Sequence, residues 1–147
     1  MSSYRQILIH IVFRTKYNIP AIDPKHKKEL YRYIWGIIKN KNCLLFQING
    51  IENHIHILSD LHSSISLADY VKDIKVASSI WMKQSGLFPK FRGWAEGFGA
   101  FSCSYRSKQI IINYIKNQEE HHRKVSFEKE YNRLLKDNGV NYDEKHL

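Results

Sequence analysis

The stretch CLLFQINGIENHIHILS, Cys43–Ser59, decides how this chain folds. It reads as two apolar, strand-like runs, Cys43–Ile51 and His54–Ser59, with a turn at Asn49-Gly50 and Glu52-Asn53 leading into the second run. That pairing is a β-hairpin. In the second run the side chains alternate between two faces. Ile55 and Ile57 point one way, where a core wants them. His54 and His56 point the other way, on one face. A buried strand has little reason to carry two imidazoles on one face unless something occupies that face. One divalent metal ion is such an occupant; a hydrogen-bonded pair and a solvent face are the others.

The flanks extend the pattern. Gln6–Phe13 (QILIHIVF) reads as a first strand, followed by the basic, aromatic loop Arg14-Thr15-Lys16-Tyr17 and a turn bracketed by Pro20 and Pro24. From Lys25 to about Asn40, Leu30, Ile34, Ile37 and Ile38 recur at helical spacing. Ser66 is a candidate N-cap for a helix over Leu67 to about Gln84, stopped by Gly86. Its inner stripe is Leu67, Tyr70, Val71, Ile74, Ala77, Ser78 and Trp81. Residues 87–99 read as loop and Ala100–Ser104 as a short strand. Ser107 opens a predicted helix from Lys108 to about His122, and a last one runs from Phe127 to about Asn138, closed by Gly139. The order β-α-β-β-α-loop-β-α-α predicts an α+β fold, a ferredoxin-like or RRM-like antiparallel sheet with helices packed on it. Residues 1–147 read as one domain, of which about 125–147 form a C-terminal helical tail.

The chain carries 23 Lys and Arg against 14 Asp and Glu, a net charge of +9 before histidine is counted. A domain this basic points to a polyanionic partner, nucleic acid first and an acidic membrane surface second. Cys43 and Cys103 cannot make a disulfide framework, which fits a reducing compartment. They read as small buried apolar residues. No stretch has the pattern of a secretory signal or the ~20 apolar residues of a bilayer span. A soluble cytoplasmic protein with no membrane partner is expected.

A second half of the candidate site lies on the helix after Ser107. Tyr114 and Gln118 are four residues apart and share one helix face. Gln118 offers a carbonyl oxygen, and Tyr114 a hydroxyl for whatever the metal holds. His54, His56 and Gln118 form a mixed N/N/O set that suits Mg²⁺ or Mn²⁺. His121 and His122 follow Gln118 closely enough to reach the same face. They equally fit a helix end facing water. His10 is expected in the core or beside the ligands. Arg14, Lys16, Lys72 and Lys75 are candidates to track a phosphate backbone, with Tyr17 or Phe91 stacking on bases.

Asn53-His54-Ile55-His56-Ile57-Leu58 resembles the HUH metal motif, two histidines around one bulky apolar residue. Tyr114-Ile115-Lys116-Asn117-Gln118 resembles the tyrosine helix of the single-tyrosine transposases of insertion sequences, the REP-associated tyrosine transposases among them. Ile11–Tyr17, Lys75–Ser79, Trp94–Ser104 and Gln118–His122 also match, in the expected order and across nearly the whole chain. Asn53 stands where aspartate is often found.

The resemblance implies an enzyme that cuts and rejoins single-stranded DNA, often beside a hairpin. Tyr114 is then the nucleophile, becoming joined to the 5′ phosphate and freeing a 3′ hydroxyl. It further implies a homodimer, with the tyrosine helix serving histidines of its own chain or of the other. Tyr105 and Tyr131 are rival nucleophiles, but Tyr105 has no glutamine at the right spacing and Tyr131 lies beside acidic residues. The alternative is a non-catalytic single-strand binder or repressor derived from such a transposase. A two-histidine phosphoesterase needs two H-x-Ser/Thr elements, and only His62-Ser63-Ser64 fits that spacing.

Overall fold

The computed structural model describes residues 2–142. Four strands, β1 (Leu8–Arg14), β2 (Leu45–Ile51), β3 (His54–Asp60) and β4 (Gly99–Cys103), form one antiparallel sheet in the order β2-β3-β1-β4. With helices α1 (Lys27–Asn40) after β1 and α2 (Leu67–Ser85) after β3, this is the split β-α-β arrangement of the ferredoxin-like fold. Three shorter helices follow: α3 (Lys108–Lys116), α4 (Gln118–His121) and α5 (Phe127–Asp137).

The alternation in β1 and β3 divides the molecule. Ile9, Ile11 and Phe13 of β1 and Ile55 and Ile57 of β3 face α1 and α2, where they join Leu30, Ile34, Ile38, Tyr70, Val71 and Ile74 in the main core. Each such side chain contributes about 1.5–3 kcal/mol by leaving water. The α2 ends follow local chemistry. Ser66 Oγ accepts from the Asp69 amide, and Gly86 closes the helix in the left-handed region.

The other face carries His10, Val12, His54 and His56. Val12 and Phe101 pack there with Phe127 and Leu135 of α5 in a smaller cluster. The helical tail expected over about 125–147 therefore docks on the sheet as α5; residues 143–147 lie outside the described residues. Gly99 permits that docking, because a Cβ there would come within 2.8 Å of the Tyr131 ring.

Three local expectations are corrected. Asn49-Gly50 is not the hairpin turn: both residues lie within β2, paired with His56 and Ile55, and the chain turns at Glu52-Asn53. The glycine is needed for proximity instead, since a Cβ on Gly50 would overlap the β3 backbone at His54. Ser107 stands at the N-cap position of α3, but its side chain makes no capping bond to the helix. Ser104 Oγ accepts from the Ser107 amide and starts a 3-10 turn, Tyr105–Ser107, that runs into α3. The helix expected to reach His122 is interrupted at Asn117, whose ψ of 19° leaves the helical range and separates α3 from α4.

Candidate metal centre and nucleophile

β3 delivers His54 and His56 to the sheet face with no exposure to solvent. α3 and α4 cross above them, held by Asn49 of β2. Its amide nitrogen donates to the Ile115 and Lys116 carbonyls, each at 3.1 Å, and so satisfies acceptors left free at the end of α3. This anchor sets Tyr114 and Gln118 over the histidines. Gln118 Oε1 lies 3.1 Å from His54 Nε2, and the Tyr114 ring packs edge-on against His56 with centroids 5.7 Å apart. All four residues belong to one chain.

At the centre stands a residue the sequence did not single out. Glu130 of α5 is 2% exposed. Its Oε1 lies 3.2 Å from His54 Nε2, 3.1 Å from His56 Nε2 and 3.0 Å from His122 Nε2. Its Oε2 accepts from Gln118 Nε2 at 2.8 Å and from the Tyr114 hydroxyl. His121 Nε2 stands 3.4 Å from the same oxygen. One signal in the sequence does point to it. Glu130 lies in the stripe Phe127, Glu130, Tyr131, Leu134, Leu135, the spacing of a buried helix face.

The outer ring nitrogens are held as well. His54 Nδ1 faces Asn53 Oδ1 at 2.9 Å, His56 Nδ1 faces His10 Nε2 at 2.8 Å, and His122 Nδ1 faces the Val125 carbonyl oxygen at 2.7 Å. Asn53 thus supplies the oxygen that an aspartate in its place would supply. A carbonyl oxygen only accepts, so His122 carries its proton on Nδ1; the Asn53 oxygen assigns His54 the same tautomer. Their Nε2 lone pairs then point at Glu130 Oε1, acceptor against acceptor.

Electrostatics sharpens the conflict. Burial lowers His54 to about 4 despite the neighbouring carboxylate, and burial with His56 lowers His10 to about 3. Burial also opposes charge on Glu130, yet the surrounding imidazoles of His122, His54 and His56 hold its carboxyl well below the usual carboxylate range. At His54 burial disfavours the imidazolium that would supply that positive charge. A cation between the lone pairs and the carboxylate resolves both problems. His54, His56, His122 and Glu130 bring donor atoms within 4.8 Å of one another. Ligands about 2.1 Å from one ion stand roughly 3.4 Å apart in a tetrahedron, close to the separations around Oε1. The residues present fit a divalent metal.

Tyr114 is the partner of that charge. Burial and then Glu130 push its hydroxyl above the ordinary tyrosine range. Tyr114, His10, His121 and Glu130 border one cavity of about 220 Å³, and His122 borders another of about 450 Å³ with Ile22, Ile51, Asn53, Lys27 and Arg123.

The basic candidates are spread out. Arg14 lies on the histidine face at the end of β1, near Phe127 and Tyr131. Lys16 and Lys75 meet Lys83 and Arg92 around a shallow groove on the α2 side, with Trp94. Lys75 is engaged there, donating to the Ala95 and Gly97 carbonyls at 2.7 and 2.9 Å. Lys72 is exposed on α2. Tyr17 is 77% exposed beside Lys16, while Phe91 is buried in the main core and is not free to stack on a base.

The sequence model of IS200-like transposases matches residues 3–118, so the chain belongs to that family. Glu130 and His122 lie beyond the matched segment. Among solved structures, a protein of Deinococcus radiodurans described as a transposase is similar over 80% of this chain and 95% of its own, at 21% identity and a TM-score of 0.63. A REP-associated tyrosine transposase bound to a REP hairpin is similar over 85% of this chain and 76% of its own, at 14% identity and a TM-score of 0.61. These two likenesses establish the shared fold. No curated protein matches the chain. Among the described residues, no helix is long and apolar enough to cross a membrane.

Proposed function

We propose that this transposase cleaves and rejoins single-stranded DNA with Tyr114 as nucleophile, beside a divalent ion, Mg²⁺ or Mn²⁺, held by His54, His56 and Gln118. One observation carries the reading: the two histidines, the glutamine and the tyrosine converge on a single buried point. Nothing in ordinary core packing calls for that convergence.

In the proposed reaction the Tyr114 oxygen attacks the scissile phosphorus and the bond to the 3′ oxygen breaks. The products are a 5′-phosphotyrosine and a free 3′ hydroxyl, which can later reverse the step onto another strand. A divalent ion, when bound, polarises the phosphate and offsets its developing charge. The phenol proton leaves as the new bond forms and the departing 3′ oxygen takes one up; Glu130 Oε2 accepts the phenol's hydrogen bond and orients it. His10, Asn53 and Val125 hold the imidazoles in orientation through their outer nitrogens. The ester conserves the energy of the broken bond, so no nucleotide is consumed.

DNA approaches through the cavities beside Tyr114 and His122, with Arg14 on the same face, while Lys16, Lys72 and Lys75 on the α2 side would meet a strand that continues around the domain. Hairpin-flanked ends are the proposed substrate, and residues 1–147 act as one domain in the cytoplasm. A homodimer is the proposed assembly, with Tyr114 serving the histidines of its own chain and the two subunits aligning two DNA ends.

The test is incubation with Mn²⁺ and single strands from the DNA flanking its own gene. A denaturation-resistant protein–DNA adduct, lost with a chelator, is expected. No adduct on any such strand would sink the enzyme reading. A non-catalytic binder or repressor is the second reading. It is favoured by the hydrogen bond that ties the Tyr114 hydroxyl to a buried carboxylate and keeps it protonated. Salt-sensitive DNA binding without cleavage would support it.

A further inference from the structure

We propose that His122 and Glu130 are themselves metal ligands, so that the centre is a three-imidazole, one-carboxylate set selecting a borderline transition ion over Mg²⁺. This rests on the metal-dependent reading above and changes its ligand set. Both residues lie beyond the segment that defines the family.

Three independent features support the assignment. Glu130 Oε1 stands nearly equidistant, 3.0–3.2 Å, from three Nε2 atoms, two from β3 and one from the end of α4. A carboxylate making ordinary hydrogen bonds would divide such partners between its two oxygens. Next, the Val125 carbonyl fixes the His122 proton on Nδ1, so Nε2 is a lone pair directed at an anionic oxygen. That contact needs either a proton or a metal ion between the two atoms, and one oxygen facing three such nitrogens favours the ion. Finally, Glu130 is buried by a helix docked for the purpose: Phe127 packs on the His54 ring at 4.3 Å, and Gly99 makes room for Tyr131. A carboxylate costs several kcal/mol to bury unless it is paired or bound to metal.

Gln118 takes a different part. Its amide nitrogen donates to Glu130 Oε2 at 2.8 Å, which orients the carboxylate so that Oε1 faces the imidazoles. The donor chemistry then sets the metal. Imidazole-rich sites suit zinc-like ions and Co²⁺, whereas Mg²⁺ prefers oxygen ligands and retained waters.

Co²⁺ reports this directly, because tetrahedral Co²⁺ absorbs visible light far more strongly than octahedral Co²⁺. The wild-type protein should bind one Co²⁺ with intense absorption that millimolar Mg²⁺ does not bleach. His122→Ala and Glu130→Gln should each weaken Co²⁺ binding by at least about 10-fold and dim the band. Proton NMR of the wild-type Co²⁺ protein needs no variant to fold. It should show three exchangeable, paramagnetically shifted Nδ1 protons, from His54, His56 and His122. Two such signals, with unchanged affinity in both variants, would overturn this ligand set and leave the His54/His56 centre standing. Failure of the wild-type protein to bind Co²⁺, Mn²⁺ or Mg²⁺ at all would overturn the metal-dependent reading with it.

Discussion

On one side of β3, Ile55 and Ile57 sit among Ile11, Ile34 and Ile74; on the other, His54 and His56 sit among Gln118, Glu130 and His122. The same seven-residue strand builds both. The apolar side needs only volume and shape, and any well-packed neighbour will satisfy it. The imidazole side needs every donor and acceptor matched, because an unmatched buried polar group costs more than a hydrogen bond returns. Two nitrogens and a carboxylate remain mismatched there unless a cation is present. The core side holds the fold together, and the polar side gathers the residues proposed to hold an ion and meet a phosphate.

Substitutions can separate the two sides. The largest effect is expected from Tyr114→Phe, which removes the proposed nucleophilic oxygen. Adduct formation should fall by on the order of 10³-fold or more, while stability changes by about 1 kcal/mol, as read by gel assay and urea melts. His56→Ala should abolish metal-dependent adduct formation in the same assay. On the opposite face, Ile57→Ala should cost about 2–5 kcal/mol. At a temperature where it remains folded, adduct formation should persist. Equal loss of stability and activity in both variants would erase the distinction between the faces.

A smaller effect concerns pH. His54 and His10 titrate in the fold at about 4 and about 3, below the ordinary histidine value of 6.5. The unfolded chain therefore takes up protons first as pH falls. Their contribution is complete above about pH 6.5 and is lost progressively as pH drops through the folded values. The melting temperature of chelator-treated protein should fall between pH 7 and pH 4. A flat profile would mean that the imidazoles are not buried neutral. The smallest expected effect is Asn49→Ala, which frees two α3 carbonyls and should cost about 1–2 kcal/mol. The Asn49 side chain reaches α3 rather than the imidazoles, so adduct yield should fall by more than the stability loss explains, through a looser Tyr114 helix.

Much of this architecture was legible in local chemistry. Period-two alternation marked β3 and the sides of its residues. Ser66 and Gly86 marked the ends of α2, and the Tyr114/Gln118 spacing marked one helix face. Legibility failed where a residue's meaning came from a distant partner. Asn49-Gly50 has the composition of a tight turn, but Asn49 serves α3 and Gly50 serves close approach to β3. Glu130 sits in a run of charges, Glu128-Lys129-Glu130, that resembles a solvated helix. Its place in the stripe Phe127, Glu130, Tyr131, Leu134 is the one local sign, and the docking of α5 through Phe127, Tyr131 and Leu135 shows that this carboxylate faces inward. His121 and His122 were indistinguishable by spacing, and it is His122 that meets the Val125 carbonyl and Glu130 Oε1, while His121 stands beside Oε2.

The most direct measurement is peptide mass mapping of the DNA-linked protein formed with Mn²⁺ and a single strand from the flanking DNA. The phosphonucleotide should be found on Tyr114, and the adduct should be absent from Tyr114→Phe. Attachment at Tyr105 or Tyr131, or an adduct that survives Tyr114→Phe, would contradict the assignment of the nucleophile.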